Sequence, residues 1–169
     1  MIINTNRILL RPFDKKDVNS YFHLAQSRDV KKYVYPLYVE TKEKAKLRIE
    51  AFQALAARPD DFVFAIEEKT QKALIGVIDA IHIVKDTLDI SLFIAESCRN
   101  RGYAKEAVNA LLLKLIELKK AYKLEFFVAD GNVFATMLMK HIKLETERLG
   151  LKIKEERLDF EGIIYSLQL

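Results

Sequence analysis

In Asp89-Ile90-Ser91-Leu92-Phe93-Ile94-Ala95-Glu96-Ser97-Cys98-Arg99-Asn100-Arg101-Gly102-Tyr103-Ala104, an apolar strand runs into a polar loop, and the loop opens the most strongly periodic helix of the chain. Ala104, Ala107, Val108, Leu111, Leu112, Leu115 and Leu118 follow at steps of three and four, the spacing of one buried helix face. The first amide N–H groups of such a helix, here from about Arg101 to Lys105, have no intrahelical acceptor and sum to a partial positive charge. That end is a ready site for phosphate. Gly102 either lets the backbone approach a pyrophosphate closely or serves a tight turn alone. Arg99, Arg101 and Lys105 are counter-charges in the first case and solvated cations in the second.

Upstream of this segment, Ile8-Leu9-Leu10-Arg11 reads as a short strand ended by Pro12, and Asp14 can cap a helix from about Lys15 to Gln26. A tyrosine-rich loop, Tyr33 to Tyr38, precedes a helix capped by Thr41 that ends ahead of Pro59, with Phe52, Leu55 and Ala56 on its inward stripe. Strands are expected at Phe62 to Glu67, Ala73 to Val84 and Thr87 to Ala95, joined by short polar turns that imply antiparallel neighbours. Downstream, Leu124 to Ala129 is a strand, and Phe134 to about Leu149 a helix stopped by Gly150. A hairpin of Leu151 to Arg157 and Ile163 to Leu169 turns at Asp159 to Gly162. The order predicts an α/β mixture (α+β) with a largely antiparallel sheet and one parallel pairing across the helix that starts at 102.

The chain has 169 residues, half of them hydrophobic and 31% charged, which fits one compact domain able to bury roughly 70% of its unfolded surface. No apolar run approaches the roughly 18 residues of a membrane span, and Met1 to Arg7 lacks the pattern of a secretory signal. A cytoplasmic protein is expected. Cys98 is the sole cysteine, so neither an intrachain disulfide nor a cysteine-built zinc site is available. His23, His82 and His141 stand apart, and the five glycines are too dispersed for GxGxxG or GxxxxGK[ST]. The excess of 28 Lys and Arg over 24 Asp and Glu, a net +4, is mild for a nucleic-acid binder. Arg28, Lys31, Lys32, Lys42, Lys44, Lys46 and Arg48 are spread around the surface by helix periodicity, as a solvated face would be. Neither nucleic acid nor membrane is expected as a partner.

Arg99-x-x-Gly102-x-Ala104, at the head of a long helix and just after an apolar strand, resembles the acetyl-CoA signature of the GNAT N-acetyltransferase superfamily. The likeness extends over nearly the whole chain. Arg7-Ile8-Leu9-Leu10-Arg11-Pro12, the Asp-capped first helix, Val34-Tyr35-Pro36 and Leu74-Ile75-Gly76 are similar to the RimJ/RimL-type branch, which acetylates protein N-termini and some small amines. The resemblance implies a GNAT fold over residues 1–169: a mostly antiparallel, splayed mixed sheet of about seven strands flanked by about four helices. It also implies acetyl-CoA as co-substrate, with no metal. The amides of Arg101, Gly102, Tyr103, Ala104 and Lys105 would hold the pyrophosphate beside Arg99. The backbone of Leu92, Phe93 and Ile94 would pair with pantetheine, and Asn132 matches the family asparagine that hydrogen-bonds the cofactor arm. The physical reading agrees, since diverging strands leave N–H and C=O groups that an extended amide can satisfy. One freed N–H, that of Phe93, is the expected oxyanion donor.

Amine acylation needs a neutral nitrogen, so a base or a water relay must take a proton first. Asp89 occupies the place where the family commonly has Glu, thirteen residues before Gly102 and between apolar neighbours. A free Asp, with a pKa near ~3.9, is a poor base that burial can improve. Asp79 and His82, three apart on the neighbouring strand, point to opposite faces under regular alternation, so one of them faces the cleft. Tyr33, Tyr35 and Tyr38 either line an acceptor pocket or pack their loop against the sheet.

The chain departs from the family pattern where Ala135 and Met139 replace the Ser and the Tyr that protonates the departing thiolate. Tyr103 and Tyr165 are the remaining phenols considered for that acid. The helix before Gly150 is also about two turns longer than the family norm, which adds a face with Lys143, Glu145, Glu147 and Arg148. The expected activity is transfer of an acetyl group to a primary amine, on a protein N-terminus or a small molecule, by direct attack in a ternary complex. The alternative is a non-catalytic CoA-binding sensor or interaction module. A homodimer is left open.

Overall fold

The computed structural model describes residues 1–118, 122–159 and 161–169. Eight strands, β1 (Ile3–Asn4), β2 (Ile8–Arg11), β3 (Phe62–Glu68), β4 (Ala73–Val84), β5 (Thr87–Ile94), β6 (Lys123–Ala129), β7 (Ile153–Leu158) and β8 (Gly162–Gln168), form one sheet in the order β1-β2-β3-β4-β5-β6-β8-β7. The described α-helices are α1 (Val18–Ala25), α2 (Arg28–Tyr33), α3 (Lys42–Ala56), α4 (Tyr103–Glu117) and α5 (Val133–Arg148). The strand beyond the expected seven is the two-residue β1, and the helix beyond the expected four is α2. Ser27 makes α2 possible, because its hydroxyl accepts from the Val30 N–H at 3.2 Å. The turn expected at Asp159 to Gly162 includes Phe160, which lies outside the described residues.

Local chemistry explains the other boundaries. Asp14 accepts from the Lys16 N–H at 2.9 Å while the Asp17 carboxylate accepts from the Asp14 N–H at 2.8 Å, a reciprocal cap. The helix it starts opens as a 3-10 turn over Lys15–Asp17 and becomes α-helical at Val18. Thr41 caps α3 as expected. The inward stripe of α3 is Ala45, Ile49 and Phe52; Leu55 is half-buried and Ala56 exposed, because the stripe runs out in the last turn.

The sheet separates two apolar clusters. On one face α4 (Ala107, Val108, Leu111, Leu112, Leu115) and α5 (Met139, Ile142) pack on Ile78, Leu88, Ile90, Leu124 and Phe126. On the other, α1 and α3 bring Tyr21, Ile49 and Phe52 onto Val63, Val77 and Phe93. Tyr21 ties this second layer to the chain beyond α2 by donating its buried hydroxyl to the Leu37 carbonyl at 2.6 Å.

All pairings are antiparallel except β5 with β6, which run parallel, as a helical crossover such as α4 requires. That parallel ladder has three rungs, Thr87↔Lys123, Leu88↔Leu124 and Asp89↔Glu125. Beyond them β5 continues on β4 as far as Ile94, and β6 continues on β8 as far as Ala129. The sheet therefore opens between β5 and β6 from Ile90 onward.

A register shift lies one strand further on, between β3 and β4. Ile66 pairs with Gly76 but Glu67 pairs with Leu74, so Ile75 is an extra residue in β4. Gly76 then lies against β5 so closely that a Cβ there would sit 2.3 Å from the Phe93 carbonyl oxygen. Gly76→Ala should therefore destabilise the protein by about 1–3 kcal/mol through overpacking, read as a lower urea midpoint. An unchanged midpoint would contradict this close approach.

Candidate active site

The N-terminus of α4 is left open by its own sequence. Gly102 is the N-cap residue, in the left-handed region at φ 81°, and it has no side chain to cap the helix. The first bond within the helix runs from the Glu106 N–H to the Gly102 carbonyl at 3.1 Å, so the N–H groups of Gly102, Tyr103, Ala104 and Lys105 have no helical acceptor. By contrast, the side chains of Ser27, Thr41 and Asn132 cap α2, α3 and α5. Arg7 fixes the loop from far away in sequence. It donates through Nη1 to the Arg101 carbonyl at 2.7 Å and through Nε to Glu106 at 2.7 Å, and its guanidinium lies 4.7 Å from the centre of the Tyr103 ring.

A cavity of about 220 Å³ lies in front of this helix end, with Leu92, Ile94, Lys105, Asn132 and Ala135 among its walls. Gly102, Tyr103 and Ala104 also border it, and Cys98 forms part of the wall, away from any histidine partner. Asn132 spends its Oδ1 on capping α5, accepting from the Ala135 N–H at 3.1 Å. Two expected phosphate ligands are placed differently. Arg101 is exposed and outside the wall, whereas Arg99 forms an ion pair with Asp29 and donates to the Ile94 carbonyl at 3.2 Å, its guanidinium 5.0 Å from the Phe134 ring centre. Tyr33 reaches across the opening to donate to the Gly131 carbonyl at 2.9 Å. Tyr35 is exposed and stacks on Tyr38, with ring centres 6.2 Å apart, so of the three tyrosines Tyr33 alone borders the cavity.

The edges of β5 alternate. The Phe93 carbonyl faces β4, where Gly76 makes room for it, and the Ala95 N–H likewise donates to Ile75 on β4 at 2.7 Å. Backbone N–H and C=O of one strand residue point to the same edge. The Phe93 amide is therefore turned toward β4, and its expected role as oxyanion donor does not fit. Ile90, Leu92 and Ile94 face the opening, in line with the Ile94 carbonyl accepting from Arg99.

Asp89 and Glu125 form the last rung before the strands part. Asp89 is half-buried, and burial first, then the nearby Glu125 charge, raises its pKa above the ordinary aspartate range. On β4, Asp79 lies opposite Ser91 and is only 3% exposed. Its carboxyl is pushed up to about 8, chiefly by burial and then by Asp89, against an opposing hydrogen bond from the Ser91 backbone. Asp79 shares the face of Val77 and Ile81, the same face as Asp89, Ser91 and Phe93. His82 points to the other side, where its ring lies 5.9 Å from that of Tyr122 and its Nδ1 is 2.9 Å from Asp61. Of the two strand candidates, Asp79 is thus the one on the face of Asp89.

Met139 is 2% exposed within the core under α5, and Tyr165 is buried in the same cluster. Tyr103 lies against Arg7. None of these places a phenol beside Asp89. Sequence reading missed Arg7, Asp29 and Ser91; Ser91 was detectable, because period-two alternation puts it on the same face as Asp89. Among the described residues no group of His, Cys, Asp and Glu is arranged to hold a metal, and no helix is long and apolar enough to cross a membrane.

The chain is similar to known proteins in sequence and in fold. It is 26% identical over 148 residues to YnaD, an uncharacterized N-acetyltransferase of Bacillus subtilis strain 168, covering 87% of this chain and 84% of that one. A GNAT-family acetyltransferase from Bacillus anthracis superposes with a TM-score of 0.75 at 21% identity, over 100% of this chain and 98% of that one. RimL, a ribosomal L7/L12 alpha-N-protein acetyltransferase solved in complex with coenzyme A, superposes with a TM-score of 0.76 at 15% identity, over 100% and 97%. The acetyltransferase (GNAT) domain model matches residues 7–145, a span that takes in the Arg7 clamp, the open strand pair and the uncapped helix. The chain therefore belongs to the GNAT family of acetyltransferases, enzymes that draw their acetyl group from acetyl-CoA.

Proposed function

We propose that this chain, acting as one domain over residues 1–169, transfers the acetyl group of acetyl-CoA to a primary amine by direct attack within a ternary complex. The observation that carries the reading is the succession of three features along one path: the β5/β6 ladder ends at Asp89, the cavity wall on β5 starts at Leu92, and the same cavity reaches the uncapped end of α4. The amides of Gly102, Tyr103, Ala104 and Lys105 receive the pyrophosphate, since they are donors without acceptors at the positive end of a helix dipole. Lys105 adds a cation at the cavity wall. From there an extended pantetheine arm runs along β5, pairing with Ile94 and Leu92, while Asn132 meets it from the α5 side.

This path brings the thioester toward the point where the strands join. The cleft-facing amides of Leu92 and Ile90 are then the donors available to the thioester oxygen as negative charge develops on it. Asp89, at the junction, takes a proton from the acceptor ammonium, directly or through water, and the freed nitrogen attacks the thioester carbon. The carbon–sulfur bond breaks, and the thiolate leaves with a proton taken from the attacking nitrogen or from water. Asp89 places a carboxylate at this junction, where the neighbouring Glu125 is paired with Lys123, and this suits a positively charged acceptor despite the net positive charge of the whole chain. An α-amine at a protein N-terminus is the acceptor class favoured by the likeness to RimL; a small-molecule amine fits the same chemistry.

Two measurements test the reading. In calorimetry, the wild type should bind coenzyme A, and Gly102→Glu should weaken binding at least tenfold, because Gly102 sits at φ 81° and a carboxylate there would oppose the diphosphate. Thiol release from acetyl-CoA should appear with at least one member of a panel of peptides with free N-termini, polyamines and aminoglycosides. Asp89→Asn should lower kcat by about 10²-fold or more while leaving coenzyme A affinity unchanged. Binding without thiol release on any acceptor would instead support the non-catalytic CoA-binding alternative.

A further inference from the structure

The buried carboxyl of Asp79 has no place in the transfer chemistry described so far, yet its surroundings make it the most unusual polar side chain of the sheet. It is 3% exposed in the centre of β4 and receives no ion pair among the described residues. Its neighbours are set by register. Asp79 pairs with Ser91 and Ile81 pairs with Asp89, so the two aspartates are diagonal neighbours on one face of adjacent antiparallel strands. Such Cβ atoms lie within about 7–8 Å, close enough for the charge of one carboxyl group to act on the other.

We infer that Asp79 and Asp89 work as one coupled carboxyl pair, in which buried Asp79, once ionised, is the positioning residue that strengthens the hold of Asp89 on a proton at the open face. The inference rests on the reading of Asp89 as the base. The other groups facing the pair leave this coupling intact. From α1, Tyr21 contributes a hydroxyl already donated to the Leu37 carbonyl. From α3, Arg48 lowers the Asp79 proton affinity, but this is the weakest of the influences on it. From β6, Glu125 adds negative charge beside Asp89 and is itself paired with Lys123. Burial and like charge therefore both favour keeping one proton on the pair.

A lone carboxylate at its ordinary pKa accepts a proton from an ammonium poorly; two carboxylates held together bind their last shared proton much more strongly. In the active form both carboxyls are ionised. One ammonium N–H bond of the acceptor breaks, the proton goes to Asp89, and the pair falls from two negative charges to one. The neutral nitrogen uses the released electron pair to attack the thioester, and after transfer the pair returns its proton to solvent. The sum is ammonium plus acetyl-CoA giving the amide, coenzyme A thiol and one released proton.

Carboxyl carbon NMR on protein labelled at aspartate tests the coupling without an acceptor. The resonance lost in Asp79→Asn should titrate with a midpoint above pH 7 in the wild type, and the midpoint should fall by at least one unit in Asp89→Asn. With the best acceptor of the amine panel, Asp79→Asn should lower kcat/KM at pH 8 at least tenfold and remove the rise through that region, with coenzyme A affinity unchanged. An Asp79 midpoint below 6, a midpoint unmoved by Asp89→Asn, or superimposable pH profiles would overturn the inference while leaving Asp89 as a single base. Full turnover in Asp89→Asn would overturn the reading of Asp89 itself. The NMR arm does not depend on activity, and Asn at 79 preserves the shape of the side chain.

Discussion

The parting of β5 from β6 after three rungs is the constraint on which the rest of this structure depends. A parallel ladder abandoned in the middle of a sheet leaves backbone N–H and C=O groups facing a gap, and such groups are costly unless something pairs with them. The chain does not close the gap. The extra residue at Ile75 and the missing side chain at Gly76 hold β5 against β4, while β8 holds β6 on the other side. The two halves of the sheet are thereby kept on separate anchors. An extended ligand rich in amides can replace the missing strand in such a gap.

Charge is distributed along this gap in an order that matches the ligand. At the wide end, α4 presents uncapped amides and Lys105; at the narrow end stand Asp89 and Glu125, with Asp79 behind them. In the proposed reading, an anionic head and a cationic acceptor are drawn to opposite ends, with the thioester between them. Arg7 contributes to this arrangement without entering the gap. By engaging the Arg101 carbonyl and Glu106 together, it stabilises the loop whose left-handed turns at Asn100 and Gly102 aim the helix end. Arg99 performs a similar service for α2 through Asp29, so part of the signature supports the walls of the cavity as well as its charge.

What could be read from the sequence was mostly local. The periodicity of α4, the caps at Asp14 and Thr41, and the strands from Phe62 to Ala95 depend on residues close in the chain, and they appear within a residue or two of where they were expected. Helix α2 was hidden because a six-residue helix of charged residues has no apolar stripe to display, and Ser27 was its one signal. The face of α3 was misplaced at Leu55 and Ala56 because burial in a last turn depends on where the underlying sheet ends. The helix-opening motif around Gly102 was legible, but the role of Phe93 was not. Which edge of a strand an amide faces depends on parity together with the partner register, and the register of β5 on β4 cannot be obtained from either strand alone. Arg7 and Glu106 are separated by 99 positions, and no local pattern links them.

In the proposed reading, coenzyme A completes the gap between β5 and β6 together with the open end of α4. Hydrogen–deuterium exchange measured with and without coenzyme A tests this most directly, at the level of individual backbone groups. Binding should slow exchange at Leu92 and Ile94 and at Gly102 to Lys105, with little change at Phe93, whose amide already faces β4. Protection confined to other segments, or exchange at these amides unaffected by saturating coenzyme A, would contradict it.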